Sequence, residues 1–248
     1  MIRSIFISAC ISILLCINAA AATRQKIHSL GIGQIYVGGK IGVAAPLALG
    51  RASDEVSFKD VASAGFAGLI DGMWIQSQNI GLGAELGFWN FPFKEQYWSG
   101  LNQRGTFEAT YRDYSACLTG RVIFGPNDLK GYFGANFGMH VTDNNLDFWS
   151  YYEGTTSDES ISYRATNINI GYGFEGGIFY KISKYACVSV TVRLNLIPSV
   201  NEETMSFQDP KYETEVIRQV TINPHGNENT LVVTAGLHFG TRKRIALR

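Results

Sequence analysis

The chain has 248 residues and no net formal charge, which argues against an overall basic field for gripping nucleic acid. Charged residues make up only 17%, while aromatics reach 12% and glycines number 27, a composition too apolar and aromatic for a disordered chain. No apolar run outside the N-terminus approaches the length of a spanning helix.

Residues 1–22 carry the marks of a secretory signal. Arg3 supplies the positive charge, residues 5–17 the apolar stretch, and the alanines at 19–22 a small-residue cleavage site. The mature chain, 23–248, is read as a single barrel domain with a short basic tail. A lipoprotein reading is disfavoured: Cys10 lies too early in the apolar stretch, and Cys16 follows the bulky Leu15. Export would permit a disulfide between the two remaining cysteines, Cys117 and Cys187. They fall in predicted strands that are not neighbours, so two buried thiols are expected instead.

Eight segments then alternate with the two-residue period of a β-strand with unlike faces. They cover residues 36–45, 64–75, 80–90, 111–124, 131–142, 165–180, 185–197 and 230–240. The links at 76–79, 125–130 and 181–184 are short. Those at 46–63, 91–110, 143–164 and 198–229 are long. Short and long links alternate, as they do when a meander of antiparallel strands puts successive turns at opposite ends, short ones periplasmic and long ones extracellular. Residues 212–222 could add a further strand to the last long link.

The two faces differ in kind. In the third segment Ile80, Leu82, Ala84, Leu86 and Phe88 oppose Gly81, Gly83, Glu85 and Gly87; in the seventh Val188, Val190, Val192 and Leu194 oppose Cys187, Ser189, Thr191 and Arg193. A soluble barrel with its apolar face inward would bury Lys40, Glu85, Asp113, Arg121, Glu175 and Arg193 in an apolar cup, at high cost. The opposite assignment turns the apolar face to lipid and gathers three cations and three anions inside as a structural charge network. The predicted fold is therefore all-β: a closed, antiparallel, up-and-down transmembrane barrel of about eight strands. The second segment is ambiguous, because Asp71 shares its face with Leu69 and Met73.

Aromatics bunch at the segment ends. Trp74, Phe124, Phe133, Tyr180, Tyr185 and Phe239 lie near the short turns, and Phe66, Trp89, Tyr111, Tyr114 and Tyr163 near the long links, as two interfacial girdles would. The long links are acidic, notably through Asp143, Asp147, Glu153, Glu202, Glu203 and Glu228. The short turns and mature ends carry Arg24, Lys26, Lys181, Lys184, Arg242, Lys243, Arg244 and Arg248.

The glycine–aromatic segments IGLGAELGF, GYFGANFG and INIGYGFEGG, with the signal and the alternating links, resemble the small outer-membrane barrels of the OmpA/OmpX membrane-domain type and the wider porin-family group of outer-membrane β-barrel domains. The resemblance spans about residues 35–240 and implies a bacterial outer-membrane location. One departure is the chain end: such barrels commonly finish on an aromatic residue, whereas Phe239 is followed by GTRKRIALR. Either the signal is internal or the last strand runs further.

Chemistry is weakly signalled. Barrel lipid A deacylases pair His and Ser with a carboxylate; His140-Val141-Thr142-Asp143 is a distant echo, with His140 facing inward. No CxxC or HxxxH spacing supports zinc, and no cofactor is expected. The expected function is non-enzymatic: a barrel anchoring exposed loops for a structural or adhesive role, with Trp98, Trp149, Tyr151 and Tyr152 as candidate contacts. Its expected partners are outer-membrane lipid, lipopolysaccharide and an extracellular ligand on the loops, with no nucleic acid, and the chain is expected to be monomeric. A narrow diffusion channel and a lipid A-modifying enzyme are the alternatives. If the apolar face meets lipid, the mature protein should fractionate with the outer membrane and migrate differently on gels when unheated; recovery from the soluble periplasm would reverse the assignment of the two faces.

Overall fold

The computed structural model describes residues 30, 32–47, 58–94, 106–125, 128–150, 159–183, 185–197, 203–208, 216–223 and 228–241. The proposed signal, the cysteines within it, Trp98, Tyr151, Tyr152 and the C-terminal tail from 242 lie outside these residues.

Eight strands close a barrel: β1 (Ile35–Leu47), β2 (Gly65–Ile75), β3 (Ile80–Pro92), β4 (Thr106–Phe124), β5 (Leu129–Ser150), β6 (Glu159–Ser183), β7 (Ala186–Leu196) and β10 (Asn229–Gly240). Each pairs antiparallel with its neighbour in the meander, and the β1–β10 ladder, from Tyr36↔Gly240 to Leu47↔Asn229, completes the ring. Closure leaves no barrel strand with an unpaired side, the condition that hydrocarbon imposes on a sheet. A four-residue helix, α1 (Phe58–Val61), lies between β1 and β2. The segment read as a possible ninth strand is β9 (Val216–Asn223). It pairs with β8 (Glu203–Gln208) in a separate two-stranded sheet, so the barrel itself has eight strands.

The strands outrun the sequence reading at the long-link end. β5 and β6 remain paired as far as Ser150↔Glu159, so most of the predicted 143–164 link is ladder. A tilted strand needs only about 9–11 residues to cross a bilayer, and β4, β5 and β6 have 19, 22 and 25. These extensions fall in segments that the sequence reading placed in its long links. At the other end, the short link from β4 to β5 turns at Gly125, whose φ of 101° suits a residue without a side chain. Lys130 Nζ donates to its carbonyl at 2.5 Å. β10 stops at Gly240, so among the described residues the last strand runs one residue past Phe239 and no further.

The outward face is apolar along the barrel: Ile41, Ile70, Leu86, Leu118, Val122, Phe133, Phe137, Ile168, Ile170 and Val192 are all exposed. Asp71 is 1% exposed and settles the second strand: it points inward together with Leu69 and Met73. The girdles need a correction. Phe124, Phe133 and Phe239 point outward at the short-turn end, and Phe66 and Tyr114 at the long-link end. Trp89 and Tyr111, however, are buried at 1% and 2% exposure. Their strand parity, shared with Glu85 and Asp113, sends them inward.

Leu118 sits mid-strand on β4 at 69% exposure, opposite Phe137 on β5. Leu118→Arg should cost about 2–4 kcal/mol in a lipid refolding titration, whereas a loss within a few tenths of a kcal/mol would mean that this face does not meet hydrocarbon.

Candidate functional site

Inward residues fill the lumen in tiers. Nearest the short turns is an apolar tier of Leu30, Tyr36, Met73, Ile75, Ile123, Tyr132, Phe179 and Cys187. The Tyr132 and Phe179 rings stack with centroids 4.5 Å apart. The segment before β1 is tied to this end by backbone bonds from Gly33 to the Ile75 carbonyl, 2.7 Å, and from Ile75 to the Gln34 carbonyl, 2.9 Å.

Above it lies a buried ion network. Arg193 donates through Nη2 to Glu85 Oε2 at 2.5 Å and to Glu175 Oε2 at 2.6 Å, and its Nη1 also meets Glu85. Arg121 donates through Nε to Glu175 Oε1 at 2.5 Å and through Nη1 to Asp71 Oδ2 at 3.0 Å. Lys40 Nζ reaches Asp71 Oδ2 at 3.0 Å, and His238 Nε2 lies 2.6 Å from Asp71 Oδ1. Three cations thus face three carboxylates, all nearly without solvent contact. Pairing of this kind is what makes buried charge tolerable. Small inward residues make the room: a Cβ on Gly134 would lie 3.0 Å from the Arg121 Cγ and 3.2 Å from the Glu175 Cγ, and one on Gly38 would strike the His238 ring.

Five of the six charges singled out from the sequence, Lys40, Glu85, Arg121, Glu175 and Arg193, meet in this network. Asp113 does not. It lies nearer the long links, where His140 Nδ1 approaches its carboxylate at 2.9 Å and the Cys117 thiol sits 3.8 Å from His140 Nε2. The third carboxylate of the network is Asp71, which the apolar company of Leu69 and Met73 had obscured. His238 was visible on the inward face of the last segment, but nothing in sequence spacing tied it to Asp71, 167 positions away. Of the oppositely charged neighbours on adjacent strands, Glu175 and Arg193 are bonded, whereas Glu85 and Arg121 are 4.0 Å apart and Glu85 takes a two-pronged contact from Arg193 across the lumen.

A second apolar tier closes the long-link mouth. Phe58, Val61 and Ala62 pack against Ala44, Ala67, Leu69, Trp89, Phe91, Tyr111 and Val232. The Phe58 ring meets Phe91 and Tyr111 edge-on at 5.2 and 5.5 Å. α1 is held there by backbone bonds, Ser63 to the Pro92 carbonyl and Lys94 to the Val61 carbonyl, both 2.8 Å. The helix falls in the segment 46–63 that was read only as a link; the apolar pair Phe58 and Val61 is a sparse signal that only packing interprets. Among the described residues, the buried polar side chains of Ser115, Thr119 and Asn136, and of Ser189 beside the short-turn tier, have no protein hydrogen-bond partner, a setting that buried water commonly satisfies.

Cys117 and Cys187 are both buried free thiols. Among the described residues no three His, Cys, Asp or Glu side chains cluster as metal ligands would, and no helix is long and apolar enough to cross a membrane. His140 and Thr142 face the lumen, and Asp143 the opposite side, so the His140–Asp143 echo does not converge on one lipid-facing site.

No family model matches the chain, and no curated protein matches it. Among solved structures, the outer membrane protein OprG from Pseudomonas aeruginosa aligns over 89% of this chain and 100% of its own, with 12% identity and a TM-score of 0.50. Neisserial surface protein A aligns over 84% and 98%, at 13% identity and a TM-score of 0.46. The Escherichia coli outer membrane protease OmpT aligns over 86% and 99%, at 12% identity and 0.44. The chain has the fold of the small outer-membrane β-barrels. Its outward apolar belt and charged, packed interior are those of a barrel built to sit in lipid.

Two outcomes test the lumen. Arg193→Ala orphans Glu85, whose other cation is 4.0 Å away, and should cost about 3–5 kcal/mol in urea titrations of the folded barrel. Adding Glu85→Ala should recover part of that loss; strictly additive losses would show that the two are uncoupled. Glu228, just ahead of β10, is buried, and burial, assisted by the nearby Asp113 carboxylate, pushes its pKa up to about 8. The folded state then holds a proton that the unfolded chain loses near the ordinary carboxylate pKa. This contribution to stability therefore declines as pH rises from about 4.5 to about 8. Glu228→Gln should raise the urea midpoint at pH 8 and leave it little changed at pH 4; equal effects at both values would show that Glu228 does not titrate across this window.

Proposed function

We propose that the protein is a non-enzymatic surface anchor of the outer membrane, in which a plugged barrel holds long extracellular segments for contact with an external partner. The observation that carries the reading is the filling of the lumen. Two apolar tiers bracket an interlocked ion network, and α1 occupies the mouth with Phe58. At eight strands a barrel has an interior that side chains can fill. Beyond the lipid, β4, β5 and β6 continue as a paired ribbon, and β8–β9 adds a second sheet in the fourth long link. Segments held on a rigid scaffold are where binding generally resides. The barrel closes within one chain, so no second copy is required to complete it.

A diffusion channel is the second reading, favoured by the partnerless Ser115, Thr119, Asn136 and Ser189 side chains, which suit a hydrated stretch of lumen. A lipid-modifying enzyme is less supported, because the His140–Asp113 pair faces inward, away from lipid acyl chains.

Planar-bilayer recordings of the folded protein separate the first two readings. The anchor should give no steady conductance. A reproducible single-channel conductance in the wild type would replace the anchor with a porin-type protein. An opening seen only on Phe58→Ala would locate the plug at the mouth.

A further inference from the structure

The outward face carries two features that neither the closed lumen nor the loop-anchor reading uses. The first is a shallow apolar groove of about 460 Å³ across β1, β2 and β3. Gly39 and Gly68 form its floor, and Ile41, Ile70, Leu86 and Phe88 its walls. All four wall residues lie on the outward face, and Ile41, Ile70 and Leu86 are more than 60% exposed. Register makes the groove continuous: Gly68 lies beside both Ile41 and Phe88, and Ile70 beside both Gly39 and Leu86. Here two glycines leave a trough with hydrocarbon on its open side.

The second feature is cationic and sits one step higher. Phe88 pairs with Tyr114, their rings 5.2 Å apart, and Arg112 stands two residues beyond Tyr114 toward the long links, opposite Asn90. Arg112 is exposed on the outward face and pairs in register with Asp143 on β5. Arg164, on β6, has a side chain 72% exposed. Its guanidinium reaches Asp143 with both prongs, Nε to Oδ1 at 3.0 Å and Nη2 to Oδ2 at 3.2 Å, and Thr166 Oγ1 adds a bond at 3.2 Å. Two arginines therefore flank one carboxylate, leaving one positive charge in excess among these three side chains. The cluster lies immediately above Tyr114, at the level where a girdle gives way to lipid headgroups.

We infer that this face binds a single phosphate-bearing lipid of the outer leaflet, with one acyl chain in the Gly39–Gly68 groove and its headgroup phosphate on Arg112 and Arg164. Each feature alone would be ordinary. Their stacking along one line of the barrel, apolar trough below and guanidinium pair above, matches the two ends of one amphipathic molecule. Guanidinium groups suit phosphate because their planar forks present several donors at once. Asp143 serves as a competing internal anion that holds Arg164 in place when no phosphate is present. The inference rests on the orientation in the proposed function, with the long links at the outer surface, but not on any partner of the loops.

Native mass spectrometry of the full mature protein in detergent micelles tests it, with bis-phosphorylated lipid A as the probe and dimyristoylphosphatidylcholine as the comparison. Each protein is first checked for the unheated gel shift of a folded barrel. Wild type should retain the lipid A probe at about tenfold lower concentration than the zwitterionic lipid, and Arg112→Ala with Arg164→Ala should erase that preference. Lysine at both positions, which keeps the charge, should preserve most of it. Asp143→Asn should strengthen probe binding several-fold by releasing Arg164, an effect that a merely structural Asp143 would not produce. Gly39→Leu should weaken retention of both lipids alike; a Cβ there meets nothing closer than 3.9 Å, so the variant is compatible with folding. Equal retention of the two lipids by wild type, or a preference that survives the double alanine variant, overturns the headgroup site. Unchanged retention by Gly39→Leu overturns the groove. A wild-type chain that shows no folded form in micelles or lipid would instead overturn the barrel orientation, and the lipid site with it.

Discussion

Inside hydrocarbon a backbone amide without a partner costs several kcal/mol, and no water is at hand to supply one. This constraint explains why β10 returns to β1. With twelve register pairs between Tyr36↔Gly240 and Leu47↔Asn229, the sheet ends nowhere, and the strands need only offer apolar side chains outward. The eight-strand circumference follows, and with it an interior of a width that side chains can fill.

That interior then has to solve an opposite problem. Charges placed on the inward face lose most of their water, so each needs a partner across the lumen. Lys40, Arg121 and Arg193 against Asp71, Glu85 and Glu175 balance in number. Arg193 and Arg121 each bridge two carboxylates, so the pairs form one connected unit rather than isolated contacts. The side chains packed around this unit leave it nearly without solvent contact, which strengthens its attractions and raises the cost of disturbing them. The inward glycines belong to the same arrangement. An alternation of glycine with a long charged or aromatic side chain lets side chains from one strand lie flat over its neighbour. A sequence rich in Gly-x-Gly therefore reads here as lumen packing, not as phosphate-binding loops.

The structure divides along the membrane normal. Within the lipid, the molecule is a closed wall around a packed lumen. Outside it, β4 to β6 carry a paired ribbon past the bilayer, and the mouth is sealed by α1. The same strands bring Arg112, Asp143 and Arg164 together at the boundary. The features with scope for recognition thus sit where lipid ends, held in register by the barrel beneath them.

The period-two alternation and the short–long sequence of links were enough to indicate an antiparallel barrel of about eight strands and which face meets lipid, because lipid on one side and packed lumen on the other impose unlike residues at every second position; that residues 216–223 pair outside the barrel was settled by the tertiary structure. The same parity places Lys40, Glu85, Asp113, Arg121, Glu175 and Arg193 inside. It does not say which of them meet, since partners across a lumen are set by barrel curvature and strand stagger, not by chain distance. Hence Asp113 joins His140 while Asp71 joins the ion network, and Arg193 reaches Glu85 across the barrel. Parity also decides Trp89 and Tyr111, where bunching at strand ends pointed to the girdle. The reach of β5 and β6 beyond the bilayer, and the seating of Phe58 in the mouth, were decided by tertiary structure alone. A two-residue period does not say where along a strand its pairing stops, and a four-residue helix acquires its meaning only from the apolar mouth it fills.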